Sequence, residues 1–506
     1  MVAPMPVRAE FPSLARWLSE NLDTEERSHI GLVTLNQWPF TTAALAETAL
    51  TAHGLGAAVT VGFWADDTPL ADPGWTTNRR LAHAVLSRSL DENAARALVE
   101  AGLPSEAMVR PPIRRWHPSS LPAPPDPLVR SSIRALRYRG SGMGRSILQV
   151  HPDNNTPIRD DFEWPRRYIA KAIESYAWVY DQTLALIRRR GIRTLVVFNG
   201  RFTHDQAAAA AANEAGIKVL YYDAGGLETG FDLTFSTTHD WVHLQERMLR
   251  MWDEWPDPER QEIGARWFLD RQEHKEPGLR AFVEHQRLGY LEGLPEAEQL
   301  VVFFSSSPDE IAELELDWAE YLQSQEHALA TLAEACRERP GTQLIVRTHP
   351  HMRLKPADDL RDWRAAVTAA GPSVHYDAGD PADSYALMRR SDIVFTYGST
   401  SGVESAFIGR PVVVMGPSAY DVLGCATRAR SLAQIRAALD QPPAPAPDRA
   451  LPYGLMMERR GFNFEHVTRS SEGTWGVGSV EFADAREIAR KIGQAQQQRA
   501  LRRLTH

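Results

Sequence analysis

Short apolar, β-branched runs recur in both halves of this chain, each ending in a Gly-, Ser- or Asn-rich loop and followed by helical spacing. That alternation constrains the fold more than any other feature, because β-α-β units build parallel sheets covered by helices. Ile30–Leu35 and Gly56–Phe63 read as buried strands on either side of a helical stretch, Thr41–Ala52. Tyr168–Arg190 has long helical spacing and is stopped by Gly191. Thr194–Phe198 then reads as a strand, Asp205–Ala215 as an alanine-rich helix and Lys218–Tyr222 as the next strand. A second series opens at Gln299–Phe304. It continues with a helix over Leu316–Arg339 and strands at Gln343–Arg347, Val374–Tyr376, Asp392–Thr396 and Val412–Met415. Helices are expected at Ser384–Arg390 and Val403–Ile408. Pro104–Pro127 reads as a proline-rich surface excursion, Gln441–Pro447 as a stiff linker and Glu481–Arg499 as a final helix.

The predicted architecture is α/β, with two domains facing each other across a cleft. The first spans 1–285 and ends in helices between Trp241 and His274. The second spans 286–450, and a C-terminal helical segment, 451–506, is expected to pack back on the first domain. A chain of 506 residues suits two or three domains at roughly 100–200 residues each.

Charge and composition narrow the function classes. A formal net charge of −9 argues against a broad nucleic-acid footprint. Two local basic runs remain. Arg188, Arg189 and Arg190 read as a helix end, where cations complement the dipole. Arg499, Arg502 and Arg503 read as another solvated end, or as a patch attracted to anionic lipid. No apolar run approaches the roughly 18 residues of a membrane-spanning helix, and Met1–Glu20 lacks the pattern of a secretory leader. The expectation is a cytoplasmic protein that approaches any membrane-borne substrate peripherally. Cys336 and Cys425 are the two cysteines; they cannot make a metal cluster alone, and they suit a reducing compartment.

Ligands of open α/β sheets bind outside the C-terminal strand ends. In the second half, that edge carries Ser305–Ser307, Arg347–His349, Tyr397–Ser401 and Gly416–Ser418. Gly- and Ser-rich turns expose backbone N–H groups, and Arg347 and His349 are charge-assisted donors, so a phosphate is the expected ligand. Read locally, the same residues also suit ordinary capped turns. Glu404 suits either dipole compensation in a first helical turn or a hydrogen bond to ribose hydroxyls. In the first half, Asp223 follows a strand and precedes Gly225 and Gly226, a placement suited to a general base; a turn cap is the plainer role. Glu228 is its rival. Asn199, Gly200 and Arg201 end the neighbouring strand, where the arginine would orient that carboxylate or bind an anionic acceptor. The chain has no Walker phosphate loop, His-Glu-x-x-His zinc helix or dinucleotide glycine fingerprint.

The ordered elements Ser306-Ser307, Arg347-Thr-His-Pro350, Ser391-Asp-Ile-Val-Phe-Thr-Tyr-Gly-Ser-Thr-Ser-Gly-Val-Glu-Ser405 and Gly409-Arg-Pro-Val-Val-Val-Met-Gly416 resemble bacterial capsule polysaccharide biosynthesis glycosyltransferases. More distantly they resemble CDP-glycerol glycerophosphotransferases and polysialyltransferases. The resemblance covers about Leu300–Gly416 and extends weakly into Leu195–Gly226. It implies the GT-B fold, two Rossmann-like domains around a cleft. It also implies a nucleotide-sugar donor bound by Ser306, Ser307, Arg347, His349, Gly398, Ser399, Thr400 and Ser401, with Glu404 on the ribose. The acceptor is then a glycan, a lipid-linked or a small molecule. No cofactor or metal is expected, because Arg347, His349 and a helix N-terminus can stabilise the leaving phosphate. Where the family often has Glu-Arg-Gly, this chain has Asp223-Ala-Gly225. The alternatives are a CDP-polyol phosphotransferase, a sugar-nucleotide epimerase and a non-catalytic nucleotide-sugar or glycan-binding protein.

Overall fold

The computed structural model describes residues 13–34, 39–64, 80–110 (80–87 by backbone alone), 120–149, 161–226, 230–237, 240–275, 283, 285–307, 313, 320–355, 357–471 and 473–483. Two sheets dominate it. The first runs in the order Phe462–Asn463, Gly230–Thr234, Lys218–Ala224, Thr194–Phe198, His29–Thr34, Ala58–Phe63, Met108–Val109. Its strands from Lys218–Ala224 to Met108–Val109 are parallel, and Gly230–Thr234 runs antiparallel to both of its neighbours, Lys218–Ala224 and Phe462–Asn463. The second sheet is parallel throughout, in the order Val374–Tyr376, Thr342–Arg347, Gln299–Phe304, Ile393–Thr396, Val412–Val414, Thr427–Arg428. These are the two Rossmann-like sheets that the sequence predicts for a GT-B chain.

The central strands are largely apolar because both sheet faces are covered. In Gln299–Phe304, Leu300, Val302 and Phe304 enter one core cluster, and Val301 and Phe303 enter the cluster on the opposite face. Val33, Leu195 and Val197 are divided in the same way from Leu32, Val196 and Phe198 in the first sheet. Each sheet reverses its order beside its first strand. Crevices therefore open next to Ser305 and Tyr397 in the second sheet and next to Asn199 in the first.

Several expectations change. The helices Trp241–Glu254 and Glu259–Gln272 pack on the second sheet, with Met248, Trp267 and Phe268 in one cluster with Leu300, Val302 and Phe304. The packing therefore does not divide near 285. Helical spacing shows that a face is apolar, not which sheet covers it. Helix Leu451–Arg459 joins the same layer through a glycine contact: a Cβ on Gly454 would lie 2.2 Å from Gly264 O. The chain then returns to the first domain, where Phe462–Asn463 adds a strand and Val467, Trp475 and Val480 enter its core. Val480–Glu481 pairs as a strand rather than starting a helix; 484–506, with the C-terminal arginines, lie outside the described residues. The helix expected from Leu316 spans Gln325–Arg337, capped by Ser324, while 314–319 are outside the described residues. Within the proline-rich stretch, Met108–Val109 is an edge strand.

Ion pairs also tie the halves together. Arg130 and Arg134 both bond Glu313, which is nearly fully buried. No helix among the described residues is long and apolar enough to cross a membrane.

Candidate functional site

A cavity of about 660 Å³ lies where the two sheets face each other. The second sheet lines it with Ser306, Ser307, His349, Gly398, Ser399, Thr400, Ser401 and Glu404. From the first come Arg201, Asp223 and Ala224. The helices between them add Trp241, Trp267 and Arg271, and the returning chain adds Tyr453 and Arg460.

Backbone contacts join the three donor-side loops. Ser305 Oγ accepts from His349 N at 2.7 Å, and Ser306 Oγ donates to Tyr397 O at 2.5 Å. Gly398 has φ +84°, and a Cβ there would sit 1.8 Å from Pro417 O, so only glycine fits this approach. Ser399 N donates to Thr396 Oγ1 at 3.1 Å, and Ser399 O accepts from Tyr420 Oη at 2.7 Å, which fixes the turn ahead of helix Ser401–Phe407. Ser399 Oγ donates to Ser401 Oγ at 3.2 Å, placing two hydroxyls side by side at the cavity wall. His349 Nδ1 accepts from His351 N at 3.2 Å. We therefore assign the proton of the neutral ring to Nε2, which makes that atom a hydrogen-bond donor.

Arg347 does not join this group. It is 2 % exposed and is absent from the cavity wall. Its Nη1 and Nη2 donate to Asp377 O and Asp380 O at 2.9 and 3.2 Å. Burial lowers its pKa to about 10. It pins the turn after Val374–Tyr376 instead of reaching a phosphate; a strand-end arginine can point along either sheet face, and sequence does not say which. Glu404 reaches the cavity but is engaged: Oε1 accepts from Arg271 Nε at 2.8 Å and from Tyr385 Oη at 3.1 Å. Attraction to Glu404, working against burial, holds the Arg271 pKa above its ordinary value.

On the facing wall, both Asp223 oxygens accept hydrogen bonds, Oδ2 from Asn199 Nδ2 at 2.5 Å and Oδ1 from Ala224 N at 2.7 Å. Asn199 itself is buried, and Gly200, at φ +79°, lines a separate cavity with Tyr180, Gln206 and Glu214. Arg201 reaches the main cavity, with its guanidinium 4.9 Å above the Phe202 ring. Glu228 lies outside the described residues. Behind this wall, burial together with the Asp223 charge raises the Asp205 carboxyl well above its usual range. Among the described residues, no group of three His, Cys, Asp or Glu side chains is placed to hold a metal. The sequence reading missed Trp241, Arg271, Tyr453 and Arg460. They reach the cavity through helix packing and the C-terminal return, which no local motif encodes.

Residues 318–453 match the family model described as capsule polysaccharide biosynthesis protein. This stretch includes His349, the Ser399 turn and Glu404, and it overlaps the motifs that carry the sequence resemblance. No curated protein matches the chain. Solved structures similar to it include Thermosulfurimonas dismutans KpsC, beta Kdo 2,4 transferase, at 14% identity over 52% of this chain and 79% of that one, with a TM-score of 0.37. A putative UDP-N-acetylglucosamine 2-epimerase from Listeria monocytogenes is 12% identical over 86% of this chain and 91% of its own, with a TM-score of 0.25. The spinosyn rhamnosyltransferase SpnG is 12% identical over 85% and 95%, with a TM-score of 0.24. At these scores the structural likenesses carry no functional inference.

Proposed function

We propose that the protein is a glycosyltransferase of bacterial surface polysaccharide synthesis, moving a sugar from a nucleotide-sugar donor to a glycan, lipid-linked or small-molecule acceptor. One observation carries this reading: Asp223, from the first sheet, shares a single cavity with His349 and the Ser399–Ser401 turn, both from the second. The capsule biosynthesis family match over residues 318–453 supports it.

In this reading the nucleotide phosphates sit against His349, Ser399, Thr400 and Ser401. Asp223 accepts the proton of the acceptor hydroxyl as its oxygen bonds to the anomeric carbon. The bond from that carbon to the phosphate oxygen breaks, and its electron pair leaves with the nucleotide. His349 Nε2–H and the hydroxyls of the Ser399 turn donate to the oxygen that gains this charge, a fixed electrostatic stabilisation. Asn199 orients Asp223, and Arg347 keeps the structural role of pinning the turn after Val374–Tyr376. The reaction proceeds without metal on the cytoplasmic side of the membrane, at its surface where the acceptor is lipid-linked.

The test is a panel of nucleotide sugars incubated with the protein, with and without extracts of surface glycans, followed by chromatography of nucleotides and sugars. A transferase releases nucleotide only when acceptor is present. Interconversion of the free nucleotide sugar without acceptor would make the protein an epimerase, and saturable binding without turnover would make it a binding protein.

A further inference from the structure

A second cavity, of about 480 Å³, lies beside the first-sheet wall of the cleft. The Asn199–Arg201 turn borders both cavities, with Gly200 lining the second and Arg201 the first. Tyr221 also lines the second, two residues before Asp223 on the same strand. Side chains two apart on a strand share a face and stand roughly 7 Å from each other. The second cavity is therefore on the sheet face that carries Asp223.

Small residues make the hollow. Ala209 and Ala210 of helix Thr203–Glu214 line it, and Gly200 closes on the tyrosine ring, where a Cβ would lie 2.4 Å from Tyr221 Cε1. Its rim includes a tight hairpin, Arg137–Tyr138 paired with Ser141–Gly142 and turned by Arg139 and Gly140 at φ +48° and +81°. The charges around it are matched, two cations against two carboxylates. Glu214 accepts from Tyr180 Oη and, at 3.2 Å, from Arg188 Nη2. Arg139 lies 3.4 Å from Asp181 Oδ1 and 3.8 Å from Glu214 Oε1. An anion would meet no surplus positive charge here.

The rest of the lining includes the half-buried Tyr221 ring, the Gln206 and Asn213 amides and the Thr237 hydroxyl. A tyrosine ring packs against the C–H face of a pyranose, and amides and hydroxyls both donate and accept, as sugar hydroxyls require. A lipid chain would desolvate these groups without replacing their hydrogen bonds.

We propose that this cavity binds an uncharged sugar unit of the glycan on which the enzyme acts, at a site separate from the transfer cleft. Only the link to the enzyme's own glycan rests on the transfer reading; sugar binding stands or falls by itself. Holding a chain here raises the local concentration of its end near Asp223, which favours long acceptors over short ones.

Isothermal titration calorimetry with maltotetraose, cellotetraose and chitotetraose, and with the acidic tetragalacturonate, tests it. The proteins are wild type, Tyr221→Ala, Tyr221→Phe, Asn213→Ala and His349→Ala, with thermal unfolding as the check on folding. Asn213 is exposed on its helix, so its replacement leaves the core intact. The expected result is that at least one neutral tetrasaccharide binds wild type and His349→Ala alike, and binds Tyr221→Ala and Asn213→Ala about tenfold more weakly. Tyr221→Phe should keep most of the affinity, which separates the ring from a folding defect. Failure of all three neutral sugars to bind wild type overturns the proposal. So does wild-type affinity in both Tyr221→Ala and Asn213→Ala, binding that follows His349 instead, or tighter binding of tetragalacturonate than of any neutral sugar. Failure of the transfer reading would be seen separately, as absence of acceptor-dependent nucleotide release with these binding results intact.

Discussion

Asn199 Nδ2 donates to Asp223 Oδ2 at 2.5 Å, across the ends of two neighbouring parallel strands and between residues 24 apart in sequence. With the Ala224 amide on Oδ1, the carboxylate has one fixed orientation at the cavity wall. A general base needs this preorganisation, because its lone pair must meet the proton of a hydroxyl whose own position is fixed.

Asp223→Asn should therefore lower turnover by about 10²–10⁴-fold while leaving donor affinity nearly unchanged. Steady-state kinetics and nucleotide titration of the same variant check both halves. Full turnover in Asp223→Asn combined with its loss in Glu228→Gln would move the base to Glu228.

His349→Ala should cost about 10²-fold in turnover or donor binding and leave the thermal unfolding temperature close to that of wild type. The ring is at the cavity wall, and its Nδ1 bond is to an adjacent turn amide, so little of the core depends on it. Arg347→Ala should behave in the opposite way. Its buried bonds to Asp377 and Asp380 carbonyls predict a loss of stability ahead of any loss of nucleotide affinity.

Much of this arrangement was legible in the sequence, for a definite reason. Parallel strands covered on both faces are short apolar runs, as in Thr194–Phe198 and Gln299–Phe304, and their C-terminal ends are where ligands bind. The Asp223, His349 and Ser399 positions follow from strand ends alone. Arg347 shows the limit: one residue before the Thr348–His349 turn, its side chain turns to the Asp377 and Asp380 carbonyls instead of the cavity. Arg460 and Tyr453 lay beyond local reading altogether, because the contact of Gly264 with Gly454 and the Gly226–Arg460 bond bring them to the site from the other end of the chain.

Activity should survive EDTA. Among the described residues no metal-binding cluster of His, Cys, Asp or Glu is present, and His349 with the Ser399 turn supplies donors for the leaving phosphate. Assays before and after chelation check this; complete loss restored by magnesium or manganese would assign the charge stabilisation to a metal.

Stability should fall on acidification through His204. Desolvation by the surrounding protein lowers its pKa to about 4, from an ordinary 6.5, and its Nε2 lies 2.6 Å from Ser175 Oγ. Below pH 6.5 the unfolded chain takes up a proton that the folded ring refuses. The contribution is therefore complete above that pH and is lost progressively as the pH falls toward about 4. It is on the order of 3 kcal/mol. Urea unfolding of wild type and His204→Gln across this range should show a steeper acid slope in wild type; equal slopes would remove His204 as the cause.

The central claim is transfer across the cleft between a donor held by the second sheet and an acceptor activated from the first. Nucleotide release at saturating donor, followed as acceptor is added, tests it most directly in wild type, Asp223→Asn and His349→Ala. The predicted result is release that requires acceptor in wild type, slow release at unchanged donor affinity in Asp223→Asn, and weakened donor binding or slow turnover in His349→Ala. Release that proceeds at the same rate without acceptor, or that neither substitution changes, would contradict it.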